Sequence, residues 1–321
     1  MPGKGRCGVG DVIVVGGGIV GLTTAVRLQE RGARVTVFTA DPPERLVSTV
    51  AAAVWYPTHT DADPRVLRWA ATTYEEFRRQ AADGVPGVLL RRTRMFQRQA
   101  ADGLPWWAEA AGDVQAVDAP APYVRELRFV APLAETATYL DWLGDRLVAG
   151  GGQVVRRRVE SLDALFAEAP VVVNAAGLAA GALCGDPTVL PVRGQVVLVA
   201  NPGLDVSVRD EDDPEGITYV HPRSRDVVLG GTFEPGRADL DPDPAARAGI
   251  LRRAVALVPE LAVAPVLGER IGLRPARQGG PRVEAERRDG GLLVHAYGHA
   301  GAGMTLSWGS ADEVCDLVAG G

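Results

Sequence analysis

The segment Asp11-Val-Ile-Val-Val-Gly-Gly-Gly-Ile-Val-Gly21 decides the fold of this chain. Its β-branched run, Val12 to Val15, predicts a buried parallel strand. Gly16, Gly18 and Gly21 follow in G-x-G-x-x-G spacing. Between a strand and a helix this spacing indicates a dinucleotide site, because the free amides and the dipole at a helix N-terminus attract a pyrophosphate.

The residues after the glycines complete a βαβ unit. Apolar residues at helical intervals predict a helix from Ile19 to Glu30, and the alternation of Arg34 to Phe38 predicts a second strand. The acidic residue that binds a ribose usually lies about 20 residues beyond the glycines. Asp41 is the only candidate, and it comes slightly late.

Further helices and strands are spread along the chain. Helix-flanked strands at the two ends and in the middle, with longer strands between them, indicate a nucleotide-binding domain interrupted by a second domain. The patterns predict helices over 64–82, 138–149, 244–258 and 304–318, and strands over 171–174, 193–200, 226–233 and 292–296.

Composition excludes several classes of function. The net charge of −6 gives no cationic field for nucleic acid. Cys7, Cys184 and Cys315 are scattered, so neither a metal site nor a disulfide framework is expected. Residues 1–10 lack the apolar core of a signal peptide, and no apolar run reaches the ~20 residues that span a bilayer. We expect a cytoplasmic protein without membrane contact, and we discount the arginine triplet 156–158 as a solvated strand face.

Seven motifs carry a family resemblance. They are Ser48-Thr-Val-Ala-Ala-Ala-Val-Trp-Tyr-Pro57, Arg158-Val-Glu-Ser161, Asn174-Ala-Ala-Gly177, Leu190-Pro-Val-Arg-Gly-Gln195, Tyr219-Val-His-Pro222 with Leu229-Gly-Gly-Thr232, Gly268-Glu-Arg-Ile-Gly-Leu-Arg-Pro275 and Tyr297-Gly-His299. In order and spacing these motifs resemble those of the D-amino-acid oxidases, a family of FAD-dependent flavoproteins that includes the D-aspartate oxidases. The match runs nearly from end to end of the chain.

The resemblance implies a substrate site. Arg274 would pair with the substrate carboxylate, and the Tyr219 hydroxyl would bond the same group, so these are the candidate catalytic residues. A guanidinium suits this role because its parallel N–H groups match both carboxylate oxygens. Val54, Tyr56 and Gly301 would lie near the substrate face of the flavin. His299 is not expected to act as a base, since the family mechanism needs none.

The resemblance also implies where FAD is bound. Glycines allow the backbone to approach a flat ligand, and the helix that begins near residue 304 would point its positive end at the flavin. The candidate cofactor-binding residues are Gly16, Gly18, Ile19, Val20, Gly21, Asp41, Ser48, Thr49, Ala51, Ala52, Ala53, Val159, Ala176, Gly177, Ala300, Gly301, Ala302, Gly303, Met304 and Thr305.

The fold class follows from the same resemblance. We expect an α/β protein in which a Rossmann-type FAD-binding domain is interleaved with an α+β substrate-binding domain on a large mixed sheet. The predicted FAD-binding domain comprises 1–58, 137–192 and 276–321. The predicted substrate-binding and interface domain comprises 59–136 and 193–275.

The implied reaction is oxidative deamination of a D-amino acid. Hydride would pass from the substrate to flavin N5, dioxygen would reoxidise the flavin to give hydrogen peroxide, and water would hydrolyse the imino acid to a 2-oxo acid and ammonia. The enzyme would be a homodimer. We expect broad use of neutral D-amino acids. A D-aspartate oxidase is an alternative in which Arg209 or His59 binds the second carboxylate, although both are expected to be solvent-exposed. The same domain plan also fits a glycine or sarcosine oxidase, or a nucleotide-binding protein without catalysis.

Overall fold

The computed structural model describes residues 10–57, 60 and 62–321. Its strands are β1 (Asp11–Val15), β2 (Arg34–Thr39), β3 (Val88–Gln97), β4 (Gln115–Asp118), β5 (Arg125–Ala134), β6 (Gln153–Arg156), β7 (Val171–Asn174), β8 (Val189–Ala200), β9 (Val206–Asp210), β10 (Thr218–Pro222), β11 (Asp226–Gly230), β12 (Glu234–Pro235), β13 (Val266–Arg277), β14 (Arg282–Arg288) and β15 (Gly291–Tyr297). Its α-helices are α1 (Ile19–Glu30), α2 (Val47–Val50), α3 (Pro64–Ala82), α4 (Thr136–Ala149), α5 (Ala179–Cys184), α6 (Pro244–Leu257) and α7 (Gly303–Gly320).

The first sheet contains the βαβ unit that the glycine motif predicts. In the described part of the chain it has six strands, in the order β14-β15-β7-β1-β2-β6. Every pairing in it is parallel except that of β14 with β15. This order places the carboxyl end of β1 in the middle of the sheet, where open α/β folds bind their ligands.

The second sheet is larger and mixed. Its nine described strands run β12-β8-β11-β10-β9-β3-β5-β4, and β13 pairs along the other edge of β8. Only β3 and β9 pair in parallel within this part of the structure. A Rossmann-type sheet beside a large mixed sheet confirms the predicted fold class.

Most elements begin and end close to the predicted residues. α1, α3 and β7 have the predicted bounds, whereas α4, α7 and β8 are longer than predicted. β11 ends at Gly230 rather than at 233. The chain leaves the ladder there because the Gly231 N–H donates to the carbonyl of Ile217 at 2.9 Å.

The C-terminal helix α7 is held by a buried polar chain. The Trp308 indole N–H donates to the Tyr139 hydroxyl at 3.0 Å, and that hydroxyl donates to Gln80 at 2.7 Å. Gln80 in turn donates to Glu76 at 2.7 Å. Because buried polar groups are costly unless they are paired, this chain fixes α7 against α3 and α4. The loop that precedes α7 is thereby fixed as well.

The division into two interleaved domains stays a prediction. The two sheets do draw their strands from alternating stretches of the chain. However, β8 begins at Val189 and continues past the predicted limit at 192. Within the described residues, no helix combines the length and the apolar character that a membrane crossing requires.

Two glycines in helices provide a matched test of the fold. A Cβ atom at Gly21 of α1 would lie 1.9 Å from the Gly16 carbonyl oxygen, whereas at Gly144 of α4 it would meet no atom within 4 Å. We expect Gly21→Ala to lower the free energy of unfolding by about 1–3 kcal/mol through overpacking. Gly144→Ala should raise it by up to about 1 kcal/mol, since alanine favours helix.

Urea unfolding of both variants beside the parent protein measures these changes. Equal effects of the two substitutions would contradict the role given to Gly21.

Candidate active site

A cavity of about 520 Å³ extends from the glycine loop after β1 to the face of the second sheet. It is lined by the ends of β1, β2 and β7, by the segment around α2 and by side chains of β8, β10 and β13. The loop between β15 and α7 closes it on a further side. Widely separated stretches of sequence therefore meet around one space.

The glycine loop is shaped by close backbone contacts. Gly16 has φ +125°, and a Cβ atom there would lie 2.1 Å from the carbonyl oxygen of Ala175. The Ile19 N–H at the start of α1 donates to the Ser48 hydroxyl at 3.0 Å. The predicted second cofactor segment is therefore tied directly to the first one, and both line the cavity.

Two helices open into this cavity with their N-termini. The N-cap residues are Gly18 for α1 and Ala302 for α7, and neither caps its helix with a side chain. Gly18 and Gly303 line the cavity. Free N–H groups and the positive ends of the helix dipoles are therefore available to anionic groups of a ligand.

Two alanines in the cavity wall adopt a left-handed backbone conformation. Among the described residues other than glycine, only Ala53 (φ 53°) and Ala300 (φ 49°) have positive φ. Such strain costs about 1–3 kcal/mol and concentrates at functional sites. Both alanines were predicted to contact the cofactor, and both line the cavity.

The end of the cavity nearest β2 is basic. Asp41, the predicted ribose ligand, lines it together with Arg45, Arg157 and Arg158. Arg157 lies 4.5 Å above the Phe38 ring centroid. The prediction that the arginine triplet forms a strand face was wrong for its last two members, because β6 ends at Arg156 and they turn to the cavity mouth.

The opposite end contains Arg274 and Tyr219, the predicted carboxylate ligands. Both side chains line the same end of the cavity, although they lie on different strands, β13 and β10. One Arg274 nitrogen, Nη1, donates to the carbonyl of Thr232 at 3.2 Å and, at 3.4 Å, to that of Arg193. Burial raises the pKa of Tyr219, so the hydroxyl keeps its proton and can donate to a carboxylate.

Glycines on intervening strands make room for this pair. A Cβ atom at Gly230 would lie 1.9 Å from Cζ of Tyr219, and one at Gly231 would lie 2.9 Å from its hydroxyl. A Cβ atom at Gly194 would lie 2.2 Å from Nη1 of Arg274. The two side chains can therefore lie flat across the sheet only because the strands between them carry no side chains at these points.

Three polar side chains, Arg209, Glu211 and His221, line the cavity near Tyr219, and together they are called the polar wall. Arg209 is only 6% exposed, so the expectation of a solvent-exposed side chain was wrong. Its guanidinium carbon lies 4.3 Å above the Tyr56 ring centroid, and its nitrogens contact Glu211 and, at 3.2 Å, His221. The counter-ion and the aromatic neighbour explain how this charge is kept inside. His59 lies outside the described residues.

His299 lines the cavity as a neutral group. It is 3% exposed, and burial lowers its pKa to about 4. Its Nε2 has no hydrogen-bond partner within the part of the chain that the structure describes. The ring therefore presents an unpaired nitrogen, and that it is not the catalytic base stays a prediction.

Most of the predicted residues meet in this one cavity. Thr305 instead supports the wall, because its hydroxyl accepts from the Tyr56 N–H at 3.0 Å and donates to the Tyr56 carbonyl at 2.9 Å. Thr49 donates to the carbonyl of Leu46 at 2.7 Å. Those that line the cavity are Gly16, Gly18, Ile19, Val20, Asp41, Ser48, Ala51, Ala52, Ala53, Val54, Tyr56, Val159, Ala176, Gly177, Tyr219, Arg274, Ala300, Gly301, Gly303 and Met304; those that do not are Gly21, Thr49, Ala302 and Thr305.

Several lining residues carry no recognisable signal in the sequence. Arg45 lies in none of the seven motifs, and Glu211 stood out only as an acidic neighbour of Arg209. Gly194 and Gly231 do lie in family motifs, but their importance depends on side chains from other strands. Pairing between strands, rather than spacing along one strand, would have been needed to find them.

The donor set fits FAD. Two helix N-termini whose own N-cap residues make no side-chain cap suit a pyrophosphate and an electron-rich ring edge, and side-chain-free backbone suits a flat ring. The arginine–tyrosine pair at the far end suits a substrate carboxylate. A site of this shape can hold a flavin and an amino acid in contact.

The comparisons with known proteins agree with this geometry. The model of the FAD dependent oxidoreductase family matches residues 11–317. The chain is 48% identical to a D-amino-acid oxidase of Rubrobacter xylanophilus, over 98% of this chain and 97% of the relative. It is 41% identical to a D-amino-acid oxidase of Streptomyces coelicolor, over 96% and 97% of the two chains.

A solved structure shows the same fold. Glycine oxidase from Bacillus cereus matches with a TM-score of 0.79 at 20% identity, over 97% of this chain and 95% of that one. The family resemblance inferred from the seven motifs is confirmed by the family match and by the two relatives. The chain belongs to the FAD-dependent oxidoreductases and, within them, to the D-amino-acid oxidase family.

Proposed function

We propose that this flavoenzyme deaminates D-amino acids with uncharged side chains and accepts a broad range of them. The observation that carries the proposal is the Arg274–Tyr219 pair, which lies in the same cavity as the helix N-termini of α1 and α7. A carboxylate bound there is held at one end of the space that the cofactor residues line. A protein that only bound a nucleotide would have no use for such a pair.

FAD is the cofactor of the family, and residues of this chain are suited to hold it. The glycine loop and the N-terminus of α1 would bind the pyrophosphate, and the loop from Ala300 to Gly303 would lie along the ring. Bound FAD supplies an acceptor for the hydride that leaves the substrate Cα, and dioxygen is the final acceptor.

The chain itself contributes chiefly orientation. Arg274 and Tyr219 would fix the carboxylate, which leaves the substrate amine and side chain to be placed by the remaining walls. The cavity is lined mainly by apolar atoms around these groups, so water is limited near the reacting carbon. No side-chain acid or base is required if the amine reaches the site unprotonated.

The polar wall favours a substrate with an uncharged side chain, because its two charges cancel. Arg209 is the cation that could have bound a second carboxylate, but Glu211 pairs with it inside the cavity. The pair has no net charge to attract an acidic side chain. A D-aspartate oxidase activity is therefore not preferred, and the cytoplasmic location and the homodimer stay predictions.

Anaerobic mixing of the purified flavoprotein with D- and L-amino acids tests this function. D-Alanine, D-valine or D-phenylalanine should bleach the visible flavin band, whereas the L-forms should not. Bleaching by glycine alone would point to a glycine oxidase. A yellow protein that no amino acid reduces would refute the proposed activity.

Replacement of Arg274 tests the carboxylate site. Arg274→Lys keeps the positive charge but loses the paired N–H donors, so we expect kcat/KM for D-alanine to fall by about 100-fold, mostly through KM. Flavin content should be unchanged, because the substitution lies at the substrate end. Arg92→Lys is the control, since Arg92 is an exposed arginine on β3.

Steady-state kinetics and the flavin-to-protein absorbance ratio of both variants give the answer. A kcat/KM unaffected by Arg274→Lys would place the substrate carboxylate elsewhere.

Replacement of Gly230 tests whether this glycine makes room for the Tyr219 ring. Gly230→Ala places a methyl group where the Tyr219 ring lies and must displace it. Tyr219→Phe removes only the hydroxyl, which is worth about tenfold in binding a charged group. We expect Gly230→Ala to weaken binding more than Tyr219→Phe does, because it moves the whole ring.

Titration of the flavin spectrum with propionate, a carboxylate that cannot react, compares the two variants without turnover. Equal dissociation constants for Gly230→Ala and the parent protein would contradict this role for the glycine.

A further inference from the structure

We infer that Glu211 determines the substrate class of this pocket by neutralising Arg209, so that loss of the Glu211 charge would open the enzyme to acidic D-amino acids. The inference rests on the proposed function and names a specificity-determining residue for it. Glu211 lies in no motif that carries the family resemblance. Its role follows from its contacts alone.

The two charges form a closed pair. Arg209 Nη2 donates to one carboxylate oxygen of Glu211, and the Tyr56 hydroxyl donates to the other at 3.0 Å. Tyr56 also covers the guanidinium with its ring, 4.3 Å from the guanidinium carbon. Burial is the largest single influence and opposes the charge on Arg209, but Glu211, Tyr56 and Tyr219 together outweigh it, so the pKa of Arg209 lies above its usual value. The arginine is therefore charged and is compensated locally.

His221 fixes the other side of the guanidinium. Its Nε2 lies 3.2 Å from Arg209 Nη1, and because an arginine can only donate, Nε2 accepts and the proton is on Nδ1. Burial and the charge of Arg209 hold the pKa of His221 well below its usual value. The ring is also stacked on Tyr219, with centroids 4.9 Å apart. The wall and the carboxylate pair are thus one packed unit.

Arg209 has one buried donor atom without a partner among the described residues. Its Nε is buried and has no partner within residues that the structure describes, and the same is true of Nδ1 of His221. Both side chains line the cavity with Glu211. A side-chain carboxylate of a substrate that approached the Arg209 guanidinium would also meet the negative charge of Glu211, which repels it.

The ratio of kcat/KM for D-aspartate to that for D-alanine measures this balance. Glu211→Gln keeps the shape and an acceptor for Tyr56 but removes the charge, so the ratio should rise about tenfold or more. Adding Arg209→Met to this variant should cancel the gain. Glu215→Gln is the control, because Glu215 pairs with Arg252 on the exposed surface, and it should leave the ratio unchanged.

Flavin titrations with malonate and propionate provide a readout without turnover. Glu211→Gln should tighten malonate relative to propionate by a similar factor. Should that variant not retain flavin, Arg209→Met alone tests the inference with the opposite sign, since an unpaired Glu211 should weaken malonate relative to propionate.

Unchanged ratios in a Glu211→Gln enzyme that still oxidises D-alanine would overturn the inference. The same holds for a gain that survives the addition of Arg209→Met. If the parent protein is reduced by no D-amino acid, the proposed function fails instead. The malonate and propionate titrations then still report on the charge of the wall.

Discussion

The site depends on glycines, because at several points a carbonyl group, a guanidinium or a phenol ring lies so close to the backbone that no side chain would fit between them. At Gly16 and Gly21 a Cβ atom would enter a neighbouring carbonyl oxygen, and at Gly194 and Gly230 it would enter Arg274 and Tyr219. The same steric constraint therefore acts at both ends of the cavity. At one end it lets a loop turn tightly in front of a helix, and at the other it lets a cation and a phenol lie across several strands.

Electrostatics uses this space in two different ways. At the cofactor end, α1 and α7 point the positive ends of their backbone dipoles into the cavity, and the N-cap residue of neither helix caps it with a side chain. At the substrate end the positive groups are the side chains of two arginines, Arg274 and Arg209, which have different partners. Arg274 donates from one nitrogen to backbone carbonyls, whereas Arg209 faces a carboxylate. We therefore expect a substrate anion to bind at Arg274 rather than at Arg209.

The sequence could predict those features that depend on residues close together in the chain. α1 has its predicted bounds because apolar spacing and the flanking glycines act within one element. Arg274 could be named because it stands in a family motif. Arg209 was expected to be exposed because its aromatic neighbour Tyr56 is far away in the chain, and only the fold brings the two into contact. Likewise, Gly230 has a clear role only when Tyr219 is seen opposite to it on β10.

This difference between local and long-range information explains why the reaction is easier to infer than its substrate. In the proposed site, the motifs would surround groups common to every amino acid, namely the carboxylate and the reacting carbon, so the same residues would serve many substrates. In the proposed site, the side chain of the substrate would instead meet a wall assembled from β9, the segment that follows it and the stretch around Tyr56. Within that wall, an arginine alone would favour an acidic substrate, whereas an arginine paired with a glutamate would disfavour it. The composition of one segment cannot separate these cases, whereas the hydrogen bonds of Glu211 to Arg209 and Tyr56 do.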